Sequence, residues 1–246
     1  MSVDLNKDET IEDLQCGGLM LIQKKDGFRF GLDSVLLANF VDIKEGDTVL
    51  DIGTGSGIIS ILIAGKTAAK IIYGLEIQNE MVEMAQRNVV LNNLQDRIKI
   101  VQGDIKNGVE YFGPSYFNAI VVNPPYLIQG GGIMSCNNSK ALSKNEIACT
   151  LEDIISVSGK LIVMGGQLAI VHKTKRLVDV LFLMRKYNIE PKYLRFIHSM
   201  PNQKPNIFLV KGIKGGRPYL NIDKPLYIFE SQGVYSEEAK KIYNMN

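Results

Sequence analysis

Cysteine is scarce. The 246-residue chain holds three, Cys16, Cys136 and Cys149, too scattered for a disulfide framework or a zinc site. Each is expected to behave as a small buried or half-buried apolar residue. His172 and His198 stand apart with no ligand spacing, so no metal is expected. No apolar run reaches the ~18 residues of a membrane helix, and the stretch from Met1 to Leu14 is polar and acidic, without an apolar leader core. These absences predict a cytoplasmic chain with no membrane association. A charge excess is lacking too. With 22% charged residues and a net charge of +2, neither disorder nor a coiled coil is suggested. No internal repeat or low-complexity tract interrupts the chain.

What is present is enough apolar material, 46% of residues, for one sizeable core. A single domain over residues 1–246 is expected, with residues 1–13 as a flexible tail and 127–143, rich in Gly, Ser and Asn, as a mobile loop. From Thr48 onward short apolar runs alternate with amphipathic stretches. Thr48–Ile52, Lys70–Leu75, Arg97–Val101 and Phe117–Val122 read as buried strands. Helices are expected from Ile58 to about Ala64 and around Met81, Met84, Ala85 and Val89. Ile147, Leu151, Ile154, Ile155 and Leu161 fall on one helical face, and Gly165-Gly166 is read as the stop of that helix. A strand at Gln167–Val171 and a helix around Leu177, Val180, Leu181 and Met184 follow. Strands are then expected at Tyr193–Ile197, Ile207–Ile213 and Leu226–Glu230, and a short helix at Glu237–Tyr243. The alternation implies an α/β, doubly wound, mostly parallel sheet with right-handed crossovers.

The first strand runs into Gly53-Thr54-Gly55-Ser56-Gly57. Such a turn lets the backbone pass close to a ligand at the carboxyl end of the sheet. A dinucleotide fingerprint needs a sixth-position glycine, where this chain has Ile58, and no Lys-Ser/Thr follows as in a phosphate loop. Asp51 ahead of the turn disfavours a pyrophosphate and suits a cationic ligand, such as the amino group of S-adenosyl-L-methionine. Glu76 closes the second strand, where an acid can hold ribose hydroxyls. Asp104 ends the third, where an acid can accept from an adenine amino group. The fourth strand ends at Asn123-Pro124-Pro125-Tyr126. Two prolines leave carbonyls without competing N–H groups. The Asn123 side-chain oxygen and the Pro124 carbonyl can then accept both protons of a planar amino group, localising its lone pair and aligning it for attack. Tyr126 offers a ring on which the acceptor can stack.

Charge is also uneven along the chain. Between Lys173 and Arg217 eleven basic residues face two acids, a local balance of +9 against −7 elsewhere, which suggests a polyanion partner.

Asp51-Ile52-Gly53-Thr54-Gly55-Ser56-Gly57 with Asn123-Pro124-Pro125-Tyr126 resembles the class I amino-methyltransferases acting on adenine, cytosine, guanine or glutamine nitrogens. The flanks narrow the resemblance: the block Phe28–Ala38, the block Asn145–Asp153, Val171-His172-Lys173 with Arg176-Leu177, and Gly215-Gly216-Arg217-Pro218. Together these resemble the tRNA1(Val) (adenine(37)-N6)-methyltransferase family. Asn145 and Met164 depart from its pattern. The resemblance implies a Rossmann-like class I fold with a seven-stranded sheet, S-adenosyl-L-methionine as donor and tRNA as substrate. Glutamine N5-methylation of a protein and guanine-N2 methylation of ribosomal RNA are the alternatives. Carried over by position, cofactor contacts fall on Asp51, Ile52, Gly53, Thr54, Gly55, Gly57, Glu76, Ile77, Asp104, Ile105 and Asn123, and catalysis on Asn123, Pro124, Pro125 and Tyr126. Phe28 and Asp33 match the block that covers the cofactor.

Overall fold

The computed structural model describes residues 4–25, 31–124 and 149–244. Phe28, Pro125, Tyr126, Cys136 and the stretch 127–143 lie outside them. The chain opens with an antiparallel hairpin, β1 (Glu9–Asp13) and β2 (Met20–Lys24), followed by α1 (Leu32–Phe40). The alternating part comprises β3 (Thr48–Ile52), α2 (Ile58–Lys66), β4 (Ile71–Glu76), α3 (Asn79–Leu91), β5 (Ile98–Gln102), α4 (Gly108–Phe112) and β6 (Phe117–Val122). Then come α5 (Leu151–Leu161), β7 (Ile162–Lys173), α6 (Leu177–Lys186), β8 (Ile189–His198) and β9 (Ile207–Lys214). The C-terminal part holds β10 (Asn221–Ile222), β11 (Leu226–Tyr227), β12 (Phe229–Ser231), β13 (Val234–Tyr235) and α7 (Glu237–Tyr243).

The main sheet runs β10-β8-β9-β7-β6-β3-β4-β5, with β11 also on β8. The strands from β3 to β9 are the seven expected; the two-residue β10 and β11 only extend the edge at β8. Pairing is parallel from β5 through β7 and antiparallel where β9 joins β7 and β8. From β3 the chain builds outward first to β4 and β5, then on the other side to β6 and β7. That reversal opens a crevice above the carboxyl ends of β3, β4 and β6, where α/β sheets take ligands.

Apolar residues line both faces, as a parallel sheet covered by helices requires. On β6, Ala119 and Val121 face a core shared with α1, α2 and α7, while Ile120 and Val122 face one shared with α5 and α6. Helix α5 starts at a capping box, with Thr150 and Asp153 each accepting from the other's backbone N–H. Among the described residues no helix is long and apolar enough to cross a membrane.

Three expectations need correction. Residues 1–13 are not simply a tail, because Glu9–Asp13 is a strand. Glu9 is buried, and Arg87 of α3 donates to both its carboxylate oxygens at 2.7 and 2.5 Å, which holds its pKa down at about 2. Gly165-Gly166 does not stop α5. The helix ends at Leu161, and both glycines lie in β7, where five residues oppose two on β6. Gly165 takes φ +79°, and a Cβ on Gly166 would sit 2.8 Å from the Asn118 carbonyl, so the bulge requires them. Leu226–Glu230 is not one strand: β11 joins the main sheet and β12 leaves it to pair with β13.

The free edge of β2 is covered by side chains. Asn88 Oδ1 accepts from the Ile22 N–H at 2.6 Å and its Nδ2 donates to the Ile22 carbonyl at 3.0 Å. Asn92 does the same for Met20, both at 2.8 Å. Four helical residues rise about 6 Å and two strand residues about 6.7 Å, so the two amides match alternate positions of β2. Asn88 Nδ2 also donates to the Ser56 carbonyl at 2.9 Å, tying the hairpin to the glycine turn. Asn88→Ala leaves two buried backbone groups of Ile22 and the partly buried Ser56 carbonyl without this partner and is expected to cost on the order of 2–3 kcal/mol in urea unfolding. A loss below about 0.5 kcal/mol would show that these bonds are replaceable.

Candidate active site

The glycine turn joins β3 to α2. Gly53, Gly55 and Gly57 have φ of +70°, +56° and +88°, values that other residues adopt only under strain. No described atom lies within 4 Å of where a Cβ on Gly53 or Gly55 would stand, so the crest of the turn opens into free space. Its base is fixed: Gly53 and Thr54 N–H both donate to the Leu75 carbonyl, at 2.8 and 3.1 Å.

Glu76, at the end of β4, closes the turn from the side. Its Oε2 accepts from Gly55 N–H at 3.0 Å, and its Oε1 from Ile77 and Gln78 N–H, both at 2.9 Å. Each carboxylate oxygen can accept from more than one donor, so capacity remains for hydroxyl groups. Ile77 is half exposed beside it, and Ile105 is buried beyond β5. Asp104 caps the short 3-10 turn Ile105–Asn107, Oδ1 accepting from Lys106 N–H at 2.9 Å, with Oδ2 the remaining acceptor.

Asp51 works inward. It is fully buried, and its Oδ2 accepts from Thr54 Oγ1 at 2.6 Å, Ser60 Oγ at 2.9 Å and Ser60 N–H at 3.2 Å. The last of these caps the first turn of α2, whose own N-cap, Gly57, has no side chain to do so. Oδ1 is buried and has no hydrogen-bond partner among the described residues. Sequence places an acid facing the ligand; the structure shows a fully buried side chain with Oδ2 committed to the turn. Thr54 is committed to the turn as well: its hydroxyl donates to Asp51 Oδ2 and its carbonyl accepts from Gly57 N–H at 2.9 Å. Gly74 makes this possible, because a Cβ there would sit 2.9 Å from Thr54 Oγ1.

Asn123 follows β6, whose Val122 pairs with Ile52 on one side and Ile170 on the other. It therefore stands at the same end of the sheet as the glycine turn. Its Nδ2 donates to Ser34 Oγ at 3.1 Å. In the block before the first parallel strand, sequence singles out Asp33, which here lies half-buried in the first turn of α1. The structure singles out its buried neighbour Ser34, for which the only sequence signal is a small polar residue directly ahead of the apolar run Val35–Ala38.

A family profile described as methyltransferase small domain matches residues 29–187, a span that reaches just past α6 and includes every element around the crevice. The chain belongs to the methyltransferase small domain family. A relative from Tolumonas auensis named tRNA1(Val) (adenine(37)-N6)-methyltransferase is 24% identical over 225 residues, covering 88% of each chain. One of the same name from Phocaeicola vulgatus is 28% identical over 211 residues, covering 85% of this chain and 86% of the relative. In fold, this methyltransferase small domain is similar to a predicted O-methyltransferase from Agrobacterium tumefaciens, with TM-score 0.71, 22% identity and coverage of 87% of this chain and 96% of that one. M. jannaschii TYW2 in complex with AdoMet gives TM-score 0.59 at 13% identity, covering 85% and 87%.

The basic segment 173–217 is divided by the fold. Lys173 pairs with Ile207 at the start of β9 and Lys214 closes its far end, roughly 24 Å away at strand rise. Several of its charges have intramolecular partners: Lys211 is buried against Asp42, Arg185 meets Glu190, Lys186 meets Glu152, and Arg195 meets Glu238. Lys173, Lys175 and Lys204 are exposed at the Asn123 end of the sheet. Thr174 holds them together by donating its N–H to the Asn206 carbonyl at 3.2 Å and its hydroxyl to the Pro205 carbonyl at 3.1 Å. His172, buried beside them and pushed down to about 4 by burial and by Arg176 and Lys173, stays neutral near pH 7.

Burial raises the Asp51 pKa from 3.8 to about 6, against the pull of Thr54 and Ser60. The folded protein thus binds this proton more tightly than the unfolded chain. The associated stability is present below pH 3.8 and is lost as pH rises through about 6. Relative to Asp51→Asn, which cannot titrate, the wild type should lose on the order of 2 kcal/mol between pH 4 and pH 6.5 in denaturant unfolding. Parallel pH profiles for the two proteins would refute this.

Proposed function

We propose that this chain transfers the methyl group of S-adenosyl-L-methionine to N6 of an adenine in the anticodon loop of a tRNA. The observation that carries the reading is Asn123: it ends the strand beside the glycine turn with its amide nitrogen already engaged, which leaves Oδ1 to accept from an incoming amino group. The family, and the name shared by relatives that match most of the chain, support the same reaction.

The residues around the crevice fit the donor. Glu76 has acceptor capacity for ribose hydroxyls, Asp104 Oδ2 for the adenine amino group, and Ile77 and Ile105 offer apolar surface to the purine. The buried, donorless Asp51 Oδ1 places negative charge beneath the turn, as the ammonium and sulfonium charges require. When bound, the donor supplies a methyl group activated by its positive sulfur. The chain's own part is positioning. Asn123 Oδ1 and the Pro124 carbonyl accept the two N6 hydrogens, which draws the lone pair out of the ring and fixes its direction. The N–C bond forms as the S–C bond breaks, and N6 then releases one proton to water. Tyr126 is assigned the stacking role from its place in the sequence.

Folded RNA is held by phosphate contacts that position it without reading its sequence. Lys173, Lys175 and Lys204 form the part of the basic segment suited to this, because they share the end of the sheet where Asn123 lies. Lys175→Glu with Lys204→Glu should weaken tRNA binding at least tenfold, flatten its salt dependence, and leave cofactor affinity unchanged. Equal tRNA affinity would move the docking surface elsewhere.

Asn123→Ala should bind the cofactor normally in calorimetry and lose on the order of 10²–10³ in turnover. The decisive experiment incubates the protein with labelled cofactor and total tRNA, ribosomal RNA or protein, then hydrolyses the product. N6-methyladenosine confined to tRNA supports the reading. Label in glutamine, or in guanosine of ribosomal RNA, overturns the substrate assignment.

A further inference from the structure

An asparagine amide has two orientations that differ by a half-turn about Cβ–Cγ and occupy nearly the same space. Only one serves the proposed reaction, on which this inference rests. With Oδ1 toward the acceptor amine, the amide receives a hydrogen bond; with Nδ2 there, two donors face one another. One buried side chain engages the amide through its nitrogen. Ser34, in the first turn of α1, is 3% exposed, and its Oγ accepts from Asn123 Nδ2 at 3.1 Å. Its own backbone N–H is bonded to the Gly31 carbonyl at 3.1 Å, which fixes the start of the helix. No other hydrogen bond to the Asn123 side chain occurs among the described residues.

The surroundings leave the serine little freedom. Val35, Leu36, Leu37 and Ala38 follow it into the core shared with α2, so α1 cannot rotate Ser34 away without exposing apolar surface. The asparagine is equally constrained, because Val122 ahead of it is paired on both sides and Pro124 behind it has a fixed φ. Two rigid elements thus meet at one hydrogen bond, 89 residues apart in sequence.

We infer that Ser34 is a positioning residue for methyl transfer: its hydroxyl oxygen holds the Asn123 amide nitrogen and thereby turns Asn123 Oδ1 toward the amino group to be methylated. It touches neither donor nor acceptor, so its effect belongs in the rate of the bound complex and not in its assembly.

The test is a double-variant cycle on the intact chain with S-adenosyl-L-methionine and tRNA. Ser34→Ala should lower kcat by about tenfold, in keeping with the cost of a slightly misplaced group, with KM for tRNA and cofactor affinity within about twofold of wild type. Ser34→Thr, which keeps the hydroxyl, should recover most of the rate. In the Asn123→Ala background Ser34→Ala should cost nothing more, because the group it orients is gone. Should Ser34→Ala fail to fold, Ser34→Cys, nearly the same size but a weaker acceptor, must lower kcat in the same direction with KM unchanged. A wild-type kcat for Ser34→Ala, or losses that simply multiply in the double variant, would overturn the inference while leaving the role of Asn123 intact. Full activity of Asn123→Ala would instead overturn the proposed reaction mechanism together with this inference.

Discussion

One buried oxygen, Asp51 Oδ2, sets the geometry on which the site depends. It receives the hydroxyls of Thr54 and Ser60 and the Ser60 N–H. The end of β3, the glycine turn and the first turn of α2 are therefore fixed relative to one another by one acceptor. The glycines allow the turn its shape, but positive φ is only a permission; the carboxylate makes that shape the one occupied. Gly74 on the neighbouring strand belongs to the same arrangement, since any side chain there would push Thr54 off Asp51. A raised pKa is the energetic consequence, because three hydrogen bonds do not fully offset the loss of hydration around a buried charge.

The rest of the molecule connects to that turn through polar links across elements that are far apart in the chain. Glu76 brings β4 to Gly55, and Asn88 brings α3 and the N-terminal hairpin to Ser56. The hairpin is thus attached to the turn through a side-chain amide that imitates a strand partner, and its outer strand is held by the Arg87–Glu9 pair on the same helix. Helix α3 serves both, which explains why its buried face carries Asn88 among Val82, Met84, Ala85 and Val89.

How far the sequence reveals this follows from where the information lies. Strands β3 to β6 are legible because a parallel strand covered on both faces must be apolar throughout and must end in a turn, and their ends mark the candidate residues Gly53, Glu76, Asp104 and Asn123. The hairpin is not legible. Its strand β1 reads Glu-Thr-Ile-Glu-Asp, and the partners that stabilise it, Arg87, Asn88 and Asn92, are contributed by a helix some 70 residues away. Gly165-Gly166 misleads for a related reason: a glycine pair after an amphipathic run signals a helix end, but here it relieves a steric contact with the Asn118 carbonyl of the adjacent strand. Ser34 escapes because a serine acquires meaning only from what its hydroxyl meets.

Charge is segregated along the direction a substrate would approach. Asp51, Glu76 and Asp104 sit at the ends of β3, β4 and β5, on one side of Asn123, while Lys173, Lys175 and Lys204 lie at the ends of β7 and β9 on the other. On the proposed reading, a cationic donor and a polyanionic acceptor would each be attracted to their own half and repelled from the other. The neutrality of His172 sharpens the boundary, since a charged imidazole there would carry the positive field in toward the crevice. Asn123, at the end of β6, lies between the two groups. A neutral amide is suited to that position. A carboxylate would draw in the lysines and a cation would meet the donor's charge, whereas an amide held by a neutral hydroxyl presents an acceptor without taking a side.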